Sequence, residues 1–308
     1  ALLEPARQRS DMKVTHVAAR DPAREAEFAQ AHGLQAAGGY EALIALDDLD
    51  LIYIALPPSG HCEWSIKALE AGKAVLCEKP FSTSGEEAEK MVEASQRTGQ
   101  PLIEAFHYRF HPTLLRAEQL LREQALGPLI GASANFCIVI PEEAGEFRWD
   151  AELGGGAFMD VGCYPFHVLR TLIGSEPELL GASATYRNGV EAEGEARLNF
   201  DASVPATARC SMVATDRRLD VEIMGEKGRL SISNFIVPHF GGVLTLETEA
   251  GTITEEPDPV STYAAQLEHV AQVVLHGAKS LTGGQDAIAN MRLIEAGRAA
   301  ARGHRSPA

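Results

Sequence analysis

Apolar residues in the first third of the chain form short unbroken runs, separated by amphipathic helical patterns. The runs with the length of buried strands are KVTHVAA (13–19), LDLIYIALP (49–57), KAVLCE (73–78) and PLIEAF (101–106). Helical patterns lie between them over 21–33, 61–71 and 84–99, each ending at or just before a glycine. Strands that are apolar on both faces are typical of a parallel sheet covered by helices. The alternation therefore predicts a doubly wound α/β domain.

The front of this domain departs from the usual pattern. Doubly wound domains that bind dinucleotides normally begin with a strand and a G-x-G-x-x-G turn. Here residues 1–12, ALLEPARQRSDM, have the pattern of the end of a helix that leads into what would be the second strand. We expect either an upstream segment or a lost pyrophosphate cradle. We favour the upstream segment, because a sheet without its central strand would expose two edges.

From about Gly127 the pattern changes to closely spaced strands separated by turn residues. The segments are LIGASANFCIVI, LLGASATYR, EGEARLNF, ATARCSMVA, LDVEIMG, GRLSISN and GVLTLETEAG. One long helix is predicted over 155–174, two more near 261–277 and 284–301, and a frayed tail over GHRSPA. Close spacing of this kind indicates a large, open, mainly antiparallel sheet.

A chain of 308 residues exceeds one ordinary core, so two domains are expected. The predicted fold class is α/β. Residues 1–106 form a Rossmann-type dinucleotide-binding domain with a doubly wound parallel sheet. Residues 107–308 form an α+β domain with the open sheet, for substrate binding and oligomerisation.

Charge and cysteine content narrow the function classes. The formal charge is −16 and no basic run offsets it, which argues against binding to nucleic acid or anionic membranes. The five cysteines form no CxxC pair and no zinc spacing. Such a set fits reduced thiols in the cytoplasm better than a disulfide framework. We also expect no membrane span, because no apolar stretch is long enough.

The strand KAVLCE ends abruptly in Glu78, Lys79 and Pro80, at the edge where ligands bind in this architecture. Pro80 excludes helical geometry at Lys79 and so directs its side chain into the cleft. A charged turn is the alternative explanation for these three residues by themselves.

Two further strand ends carry candidate cofactor contacts. Arg20 follows KVTHVAA where the adenosine ribose is recognised, and arginine there suits the 2′-phosphate of NADP. Alternatively, Arg20 merely precedes a helix capped by Asp21. The turn LPPSGH presents Leu56, Pro57 and His61, although His61 could equally belong to the first turn of the helix.

The segment GGGAFMDVGCYPFHVLR (154–170) supplies the opposite wall of the expected cleft. Its glycines are expected to let the backbone approach a ligand and to leave N–H groups free. On one helix, Asp160, Tyr164 and His167 would share a face. A polar stripe of this kind must meet a pocket or a buried network, and we assign Asp160 and Tyr164 to function and His167 to structure.

The motifs CEKP (77–80), LPPSGH (56–61) and GGGAFMDVGCYP (154–165) together resemble the Gfo/Idh/MocA oxidoreductases over nearly the whole chain. Together with EAFHYRFHP (104–112) and FRW (147–149), they are most similar to the branch of dihydrodiol dehydrogenases, glucose–fructose oxidoreductase and NADP-dependent xylose dehydrogenases. The resemblance implies a Rossmann domain followed by an open-sheet domain. It also implies hydride transfer between NADP, favoured over NAD, and a sugar, polyol, trans-dihydrodiol or related ketone.

In such an enzyme Lys79 contacts nicotinamide and substrate and exchanges a proton with the substrate oxygen. Burial and the positive nicotinamide are expected to draw its pKa toward neutrality. Glu78 positions the cofactor, Tyr164 donates a proton or orders the substrate hydroxyl, and Asp160 fixes a second hydroxyl. These assignments make Lys79, Tyr164 and Asp160 the predicted catalytic residues.

The remaining candidates lie where the two domains meet. Tyr108 and Arg109 are expected near the nicotinamide, with Arg109 on the cofactor and Tyr108 on the substrate. Arg148 and Trp149 are candidate substrate contacts or ordinary packing. His107 and His111 have an i, i+4 spacing, but Pro112 favours a helix start over a metal site, and no metal is predicted.

Two other functions remain open at this stage. One is an NAD-dependent glycosidase of the same fold, although the histidine-rich motifs of such enzymes are absent. The other is a non-catalytic sugar or dinucleotide sensor, which would not need Lys79. A homodimer or homotetramer through the C-terminal sheet is expected. The sequence does not name the substrate or the reaction direction.

Overall fold

The computed structural model describes residues 2–303, so most of the predicted frayed tail lies outside the described residues. The amino-terminal part contains five short parallel strands and five helices. The strands are β1 (His16–Val17), β2 (Gln35–Ala36), β3 (Leu51–Ile54), β4 (Ala74–Cys77) and β5 (Leu102–Glu104). The helices are α1 (Leu3–Arg7), α2 (Pro22–His32), α3 (Tyr40–Ile44), α4 (His61–Glu70) and α5 (Gly85–Thr98). Of these elements, β2 and α3 were not predicted.

Local capping chemistry fixes the ends of the longer helices. Asp21 accepts a hydrogen bond from the Ala23 amide at the start of α2, and Gly33 ends that helix with a left-handed φ of 69°. Ser84 caps α5 in the same way, and Gly99 ends it with φ 71°. A side-chain acceptor at the first position and glycine after the last turn satisfy backbone groups that the helix itself leaves unpaired. These boundaries match the sequence prediction.

The parallel sheet consists of two separate pieces. Strands β1 and β2 form one piece, and β3, β4 and β5 form the other, in that order. Between β1 and β3 lies a mainly apolar cavity of about 730 Å³. It is lined by strand residues from 13–18 and 48–56 and closed by residues of α1. Two strand edges therefore face each other across a gap, as the pattern of residues 1–12 predicted.

The carboxyl-terminal part is built on a nine-stranded sheet. Its strands are β6 (Leu129–Val139), β7 (Glu178–Arg187), β8 (Val190–Phe200), β9 (Val204–Ser211), β10 (Val213–Arg218), β11 (Val221–Gly225), β12 (Gly228–Ile232), β13 (Leu244–Thr248) and β14 (Gly251–Glu255). The order is β14-β13-β12-β11-β6-β9-β8-β7, and β10 also pairs with β6. Only β6 and β9 run parallel among these pairs. The prediction of a large, mainly antiparallel sheet is confirmed.

The helix predicted over 155–174 is wrong as a single element, because the structure divides it into two. Helix α7 (Ala157–Asp160) ends before α8 (Cys163–Ile173) begins. At the break the Gly162 amide donates to the Ala157 carbonyl over 2.7 Å. A Cβ at Gly162 would lie 2.7 Å from the Phe158 Cα, so a side chain there would collide with the preceding turn. Asp160 and Tyr164 consequently belong to different helices.

Three helices join the two parts of the chain. Helix α6 (Pro112–Arg122) begins at His111, whose ring accepts a hydrogen bond from the Thr113 amide, as the helix-start interpretation predicted. Helix α9 (Thr262–His276) packs on α1 and on the 3₁₀ turn His107–Phe110. Helix α10 (Gln285–Gly303) packs on α5, α8 and β7. The larger of the two apolar clusters among residues 2–303 contains side chains from both parts. The division at residues 106 and 107 stays a prediction.

Two further properties of residues 2–303 bear on function. None of their helices is both long and apolar enough to cross a membrane. The same residues contain no group of three or more His, Cys, Asp or Glu side chains that could hold a metal ion.

Candidate active site

The carboxyl ends of the parallel strands place several predicted residues along one edge. Lys79 follows β4, the middle strand of its sheet, while Leu56 follows β3 and Arg20 follows β1. The Lys79–Pro80 peptide bond is cis. In open α/β sheets this edge is where ligands bind, because loops there diverge and leave a crevice. Lys79 thus emerges at the centre of the expected ligand edge.

Lys79 is held by the second half of the chain. Its Nζ lies 2.7 Å from Asp160 Oδ1 and 3.0 Å from the Asp160 carbonyl oxygen. The other carboxylate oxygen of Asp160 accepts from Nε of Arg148 over 2.9 Å. Arg148 in turn contacts Glu146 Oε1 at 2.9 Å through NH1. A chain of alternating charges therefore runs from Lys79 to Glu146, and the Lys79 side chain is only 14% exposed.

The charge state of this pair differs from the sequence-based expectation. Burial does act to lower the pKa of Lys79, but the Asp160 carboxylate outweighs it, with help from Glu78, and the net pKa is raised. The expectation that burial draws the Lys79 pKa toward neutrality is therefore wrong, and the effect of a bound nicotinamide on that pKa stays a prediction. Burial acts to raise the pKa of Asp160, yet Lys79 and Arg148 hold it below its ordinary value. Both groups carry their charges at neutral pH.

Asp160 is nearly buried and has no oxygen without a partner. We had expected its carboxylate to fix a second substrate hydroxyl. Instead, the geometry places its two oxygens between two cations. Its contribution to the site is then to hold Lys79 and Arg148 in place and to keep both charged.

Tyr164 completes the group around Lys79. Its ring centroid lies 5.3 Å from Lys79 Nζ, within the range of a cation–π contact. The ring also packs edge-on against Phe106 and Phe136, which fixes its plane. Its hydroxyl lies 3.3 Å from Nε2 of His107. Burial raises the pKa of Tyr164 well above its ordinary value, so the phenol is neutral.

The Glu78 carboxylate, next to Lys79 in the chain, is held by two hydrogen bonds. One carboxylate oxygen accepts from the Tyr53 hydroxyl over 2.5 Å, and the other accepts from the Lys79 amide over 3.2 Å. Tyr53 belongs to β3, so the contact ties two strand ends together. Glu78 remains half-buried at the edge of the sheet.

The LPPSGH turn is held together by its histidine. The His61 ring lies between two carbonyl oxygens, 2.8 Å from that of Leu56 and 2.9 Å from that of Pro80. Burial lowers the pKa of His61, although the two carbonyl contacts oppose the shift. His61 is fully buried and fixes the loops around Lys79, while Leu56 and Pro57 remain half-buried at the edge.

The side chains of three predicted site residues point into the protein interior. The Tyr108 side chain is fully buried, and its hydroxyl lies 2.5 Å from Nδ1 of His167. Arg109 makes a two-pronged contact with Glu118, at 2.9 Å for each pair of atoms. The Trp149 indole donates to the Ile140 carbonyl over 3.2 Å. These positions assign all three side chains to packing and polar contacts inside the protein.

The glycines of 154–156 do not leave free N–H groups, so that expectation is wrong. Their amides donate to the carbonyls of Ala151, Asp150 and Arg148 in turn. A Cβ at Gly155 would lie 2.5 Å from the Arg148 carbonyl oxygen. The glycines are needed because the preceding FRW turn folds closely against them, and this packing places Arg148 next to Asp160.

At the end of β1, Arg20 is exposed, and its guanidinium forms no ion pair within residues 2–303. The neighbouring Asp21 carboxylate is used as the cap of α2. Glu25 accepts hydrogen bonds from the amides of Ala19, Gly38 and Gly39. The Asp21 cap that the sequence predicted is confirmed, and the contact of Arg20 with a 2′-phosphate stays a prediction.

Two residues of the site were missed by the sequence analysis. His107 was considered only for its spacing to His111, and Thr262 was not considered at all. Thr262 Oγ1 lies 2.9 Å from Nδ1 of His107, although the two are 155 positions apart. No spacing rule connects such distant positions, and the one available signal was the histidine in EAFHYRFHP.

Comparison with known proteins places this arrangement in a family. Residues 1–106 match an oxidoreductase family with an NAD-binding Rossmann fold, and residues 114–231 match the GFO/IDH/MocA C-terminal domain. The chain belongs to the Gfo/Idh/MocA oxidoreductases. The resemblance that the CEKP, LPPSGH and GGG-containing motifs indicated is thereby confirmed.

Its relatives within the family include sugar and diol dehydrogenases. The D-xylose 1-dehydrogenase (NADP(+)) 2 of Haloferax volcanii is 32% identical over 296 residues, which are 95% of this chain and 90% of that protein. The trans-1,2-dihydrobenzene-1,2-diol dehydrogenase of Xenopus laevis is 28% identical and covers 87% of this chain and 82% of its own. The crystal structure of KijD10, a 3-ketoreductase from Actinomadura kijaniata in complex with NADP and TDP-benzene, superposes with a TM-score of 0.89 at 28% identity, covering 97% of this chain and 93% of that one.

Proposed function

We propose that this protein transfers a hydride between NADP(H) and a carbohydrate-like alcohol or ketone. The observation that carries the proposal is the Lys79 ammonium, held by Asp160 beside the Tyr164 ring at the carboxyl end of a central parallel strand. A charged donor and a neutral phenol at one point suit a reaction that moves a proton at oxygen while hydride moves at carbon. The named activities of the relatives support the same reaction class.

The edge of the sheet fits an NADP molecule at two places. The exposed guanidinium of Arg20 has no ion-pair partner among residues 2–303, so it is available for a 2′-phosphate, which arginine binds through two parallel hydrogen bonds. Glu78 and Lys79 lie at the other place, where a nicotinamide ring and its ribose would be held. Among residues 2–303, no G-x-G-x-x-G turn follows a strand, so no residue is assigned to the pyrophosphate. When bound, the cofactor supplies or accepts the hydride.

The residues of the chain supply the remaining chemistry. The charged Lys79 polarises the substrate oxygen and stabilises negative charge that develops there. Asp160 keeps Lys79 charged and fixed in place, so little reorganisation is needed during reaction. Tyr164 gives its phenolic proton to the oxygen during reduction and receives it during oxidation. Arg148, about one third exposed, adds a further donor near the substrate.

Assembly and location form a second part of the proposal. Large apolar side chains are exposed on strands of the C-terminal sheet, namely Ile130, Val139, Leu180, Met224 and Ile253. These side chains leave apolar surface on the strands that a second copy of the chain could cover, although single exposed apolar residues also occur on monomers. We propose a homodimer or homotetramer through this sheet. All five cysteines are free thiols, which fits the cytoplasm.

The test compares Lys79→Met with Lys90→Met in the purified protein. Lys90 is a surface lysine paired with Glu86 and 55% exposed, so its replacement controls for the loss of an ammonium group. Turnover is followed by reduced-nicotinamide absorbance with aldoses and a cyclic trans-diol, using NADP and NAD separately. We expect Lys79→Met to lower kcat by roughly 10²- to 10⁴-fold while Lys90→Met retains it.

Two results would contradict the proposed function. One is full turnover by Lys79→Met on the best substrate. The other is release of chromophore from a chromogenic glycoside without added cofactor, which would favour a glycosidase of the same fold.

A further inference from the structure

The residue behind Tyr164 is a histidine with its own partner. His107 is the first residue of the 3₁₀ turn that follows β5, and it is 5% exposed. Its Nε2 lies 3.3 Å from the Tyr164 hydroxyl, and its Nδ1 lies 2.9 Å from Thr262 Oγ1. The ring stacks on Tyr263 with the centroids 4.4 Å apart. Each nitrogen of the His107 ring therefore has a hydrogen-bond partner, Tyr164 for Nε2 and Thr262 for Nδ1.

His107 is neutral, so it has one proton to place. Burial lowers its pKa to about 3, with the charges of Lys79 and His239 adding to the shift. A neutral imidazole donates from one nitrogen and accepts at the other. The direction of the whole chain therefore depends on which nitrogen carries the hydrogen.

The contact with Thr262 indicates which nitrogen of His107 carries the hydrogen. Thr262 is fully buried at the first position of α9, and its hydroxyl contacts Nδ1 of His107. Within residues 2–303, its hydroxyl hydrogen has no other acceptor. If Nδ1 carried the proton, that hydroxyl hydrogen would be buried without a partner, at a cost of about 1–3 kcal/mol. If Thr262 donates to Nδ1 instead, the proton of the imidazole lies on Nε2, and the phenolic hydrogen of Tyr164 is the one without an acceptor among residues 2–303. That hydrogen belongs to the ring beside Lys79, where the proposed substrate supplies an acceptor, whereas the Thr262 hydrogen lies inside the protein.

We infer that Thr262 fixes His107 in the Nε2–H tautomer, so that His107 donates to the Tyr164 oxygen and leaves the phenolic hydrogen free for the substrate. His107 is then a positioning residue, which acts through Tyr164 without touching the substrate. The inference deepens the proposed function and, in its catalytic part, rests on it.

The arrangement has a defined consequence for the reaction. With a reduced nicotinamide bound to supply the hydride, Tyr164 would pass its phenolic hydrogen to the substrate oxygen, and the carbonyl would become an alcohol. Tyr164 is left as a phenolate, which accepts hydrogen bonds from His107 Nε2–H and is stabilised by Lys79. Water returns a proton to it once the product leaves. In the opposite tautomer, Tyr164 would donate to His107 and its hydrogen would point away from the substrate.

The tautomer is measured directly, without any substrate or cofactor. Nitrogen-15 histidine spectra of the intact protein distinguish a protonated Nε2 from a protonated Nδ1, and His107→Gln assigns the signal. We expect Nε2–H in the wild type and in Thr262→Ser, which keeps the hydroxyl, and a changed tautomer population in Thr262→Val. A wild-type signal from Nδ1–H or from a doubly protonated ring would overturn the inference even if no Thr262 variant folds.

Kinetics test the catalytic part with matched variants. His107→Gln places an amide N–H near the former Nε2, whereas His107→Leu removes the donor. We expect His107→Leu and Thr262→Val to lower kcat by on the order of tenfold to a hundredfold with KM little changed. His107→Gln and Thr262→Ser should stay within about threefold of the wild type, because each keeps its donor.

Failure of this inference and failure of the proposed function give different results. Equal kcat values for Thr262→Val, Thr262→Ser and the wild type would refute the positioning role while leaving the enzyme active. Absence of NADP-dependent turnover in the wild type would refute the proposed function, and the nitrogen-15 spectra would still decide the tautomer.

Discussion

Two tyrosine–histidine pairs lie side by side where the two halves of the chain meet. They differ in the partner of the histidine nitrogen that faces away from the tyrosine. The ring centroids of Tyr164 and Tyr108 are 5.6 Å apart. The Tyr164 hydroxyl lies 3.3 Å from Nε2 of His107, and the Tyr108 hydroxyl lies 2.5 Å from Nδ1 of His167. The same two residue types therefore occur twice within one cluster of rings.

In the pair formed by Tyr108 and His167, the histidine contacts a charged group. Nε2 of His167 lies 3.0 Å from a carboxylate oxygen of Asp286, whose other oxygen contacts Arg170 at 3.0 Å. An ionised carboxylate only accepts, so His167 must carry its proton on Nε2 and accept the Tyr108 hydrogen at Nδ1. The phenolic hydrogen of Tyr108 is thus used in a hydrogen bond to His167 and is not available to a substrate. The carboxylate makes this pair structural.

Under the proposed function, the difference shows how one fold would separate a reactive phenol from an inert one. Behind His107 stands the Thr262 hydroxyl, which is able to donate, and next to Tyr164 stands the Lys79 ammonium. When the far nitrogen of the histidine accepts a hydrogen bond, the near nitrogen donates to the tyrosine oxygen and the phenolic hydrogen stays free. When the far nitrogen donates to a carboxylate, the near nitrogen accepts the phenolic hydrogen. If Tyr164 is the catalytic tyrosine, as proposed, the partner on the far side of each histidine sets which tyrosine is able to react.

A large effect is expected from removing the carboxylate that holds Lys79 beside the Tyr164 pair. Asp160→Asn keeps the shape of the side chain but leaves Lys79 and Arg148 without a buried anion. We expect kcat to fall by roughly 10²-fold, because Lys79 is then less firmly held. Since the carboxylate raises the pKa of Lys79, its loss should also lower that pKa and move the corresponding limb of the pH–kcat profile to lower pH. An unchanged profile would show that Asp160 does not control Lys79.

Breaking the other pair should cost stability and leave activity nearly intact. Burial acts to raise the pKa of Asp286, but its contacts with His167 and Arg170 outweigh it and lower the pKa to about 2. Asp286→Asn removes this anion next to the buried Arg170. We expect the free energy of unfolding in urea to fall by about 1–3 kcal/mol, with kcat within a few-fold of the wild type. A loss of kcat without a loss of stability would reverse the assignment of the two pairs.

The sequence was sufficient for most of the architecture. The parallel strands, the caps of α2 and α5 and the antiparallel strands follow from periodicity and turn residues, which are local signals. The helix over 155–174 was misread because the collision that Gly162 avoids involves the backbone of its own preceding turn. Glycine is compatible with both a continuous and a broken helix, so composition alone does not distinguish them.

The candidate site was predictable only in part, for a related reason. Lys79, Asp160 and Tyr164 stand in recognisable motifs, and the structure brings them together. The inward direction of Tyr108 and Trp149 depends on partners far away in the chain, which a motif does not encode. Thr262 lies in no motif, and its contact with His107 exists only because α9 folds back onto the amino-terminal half.

A smaller effect is expected from Arg148, which lies at the far end of the charge chain. Arg148→Gln removes the ion pair with Asp160 but keeps a hydrogen-bond donor. We expect kcat to fall by about tenfold, less than for Asp160→Asn, because Lys79 keeps its direct partner. Steady-state kinetics with a saturating cofactor provide the measurement. A loss as large as that of Asp160→Asn would mean that Arg148 itself contacts the reacting atoms.

A further prediction concerns the dependence of stability on pH. The pKa of His107 falls from its ordinary 6.5 to about 3 on folding, mainly through burial. Between these values the unfolded chain binds a proton that the folded protein does not, so stability is lost as the pH falls below 6.5. Urea unfolding should therefore lose up to about 1.4 kcal/mol more per pH unit in the wild type than in His107→Gln. Identical slopes would show that His107 is charged in the folded protein.

The most direct test of the whole account compares Tyr164→Phe with Tyr108→Phe, each of which removes one phenolic oxygen from the same cluster. For both variants, kcat and the free energy of unfolding in urea are measured on the same preparation. We expect Tyr164→Phe to lower kcat by roughly 10²-fold or more. It should also lower stability by about 1–2 kcal/mol, because the buried Nε2–H of His107 loses its acceptor. Tyr108→Phe should lower stability by about 1–2 kcal/mol and leave kcat within a few-fold of the wild type. Equal losses of kcat in the two variants, or a larger loss in Tyr108→Phe, would contradict this account.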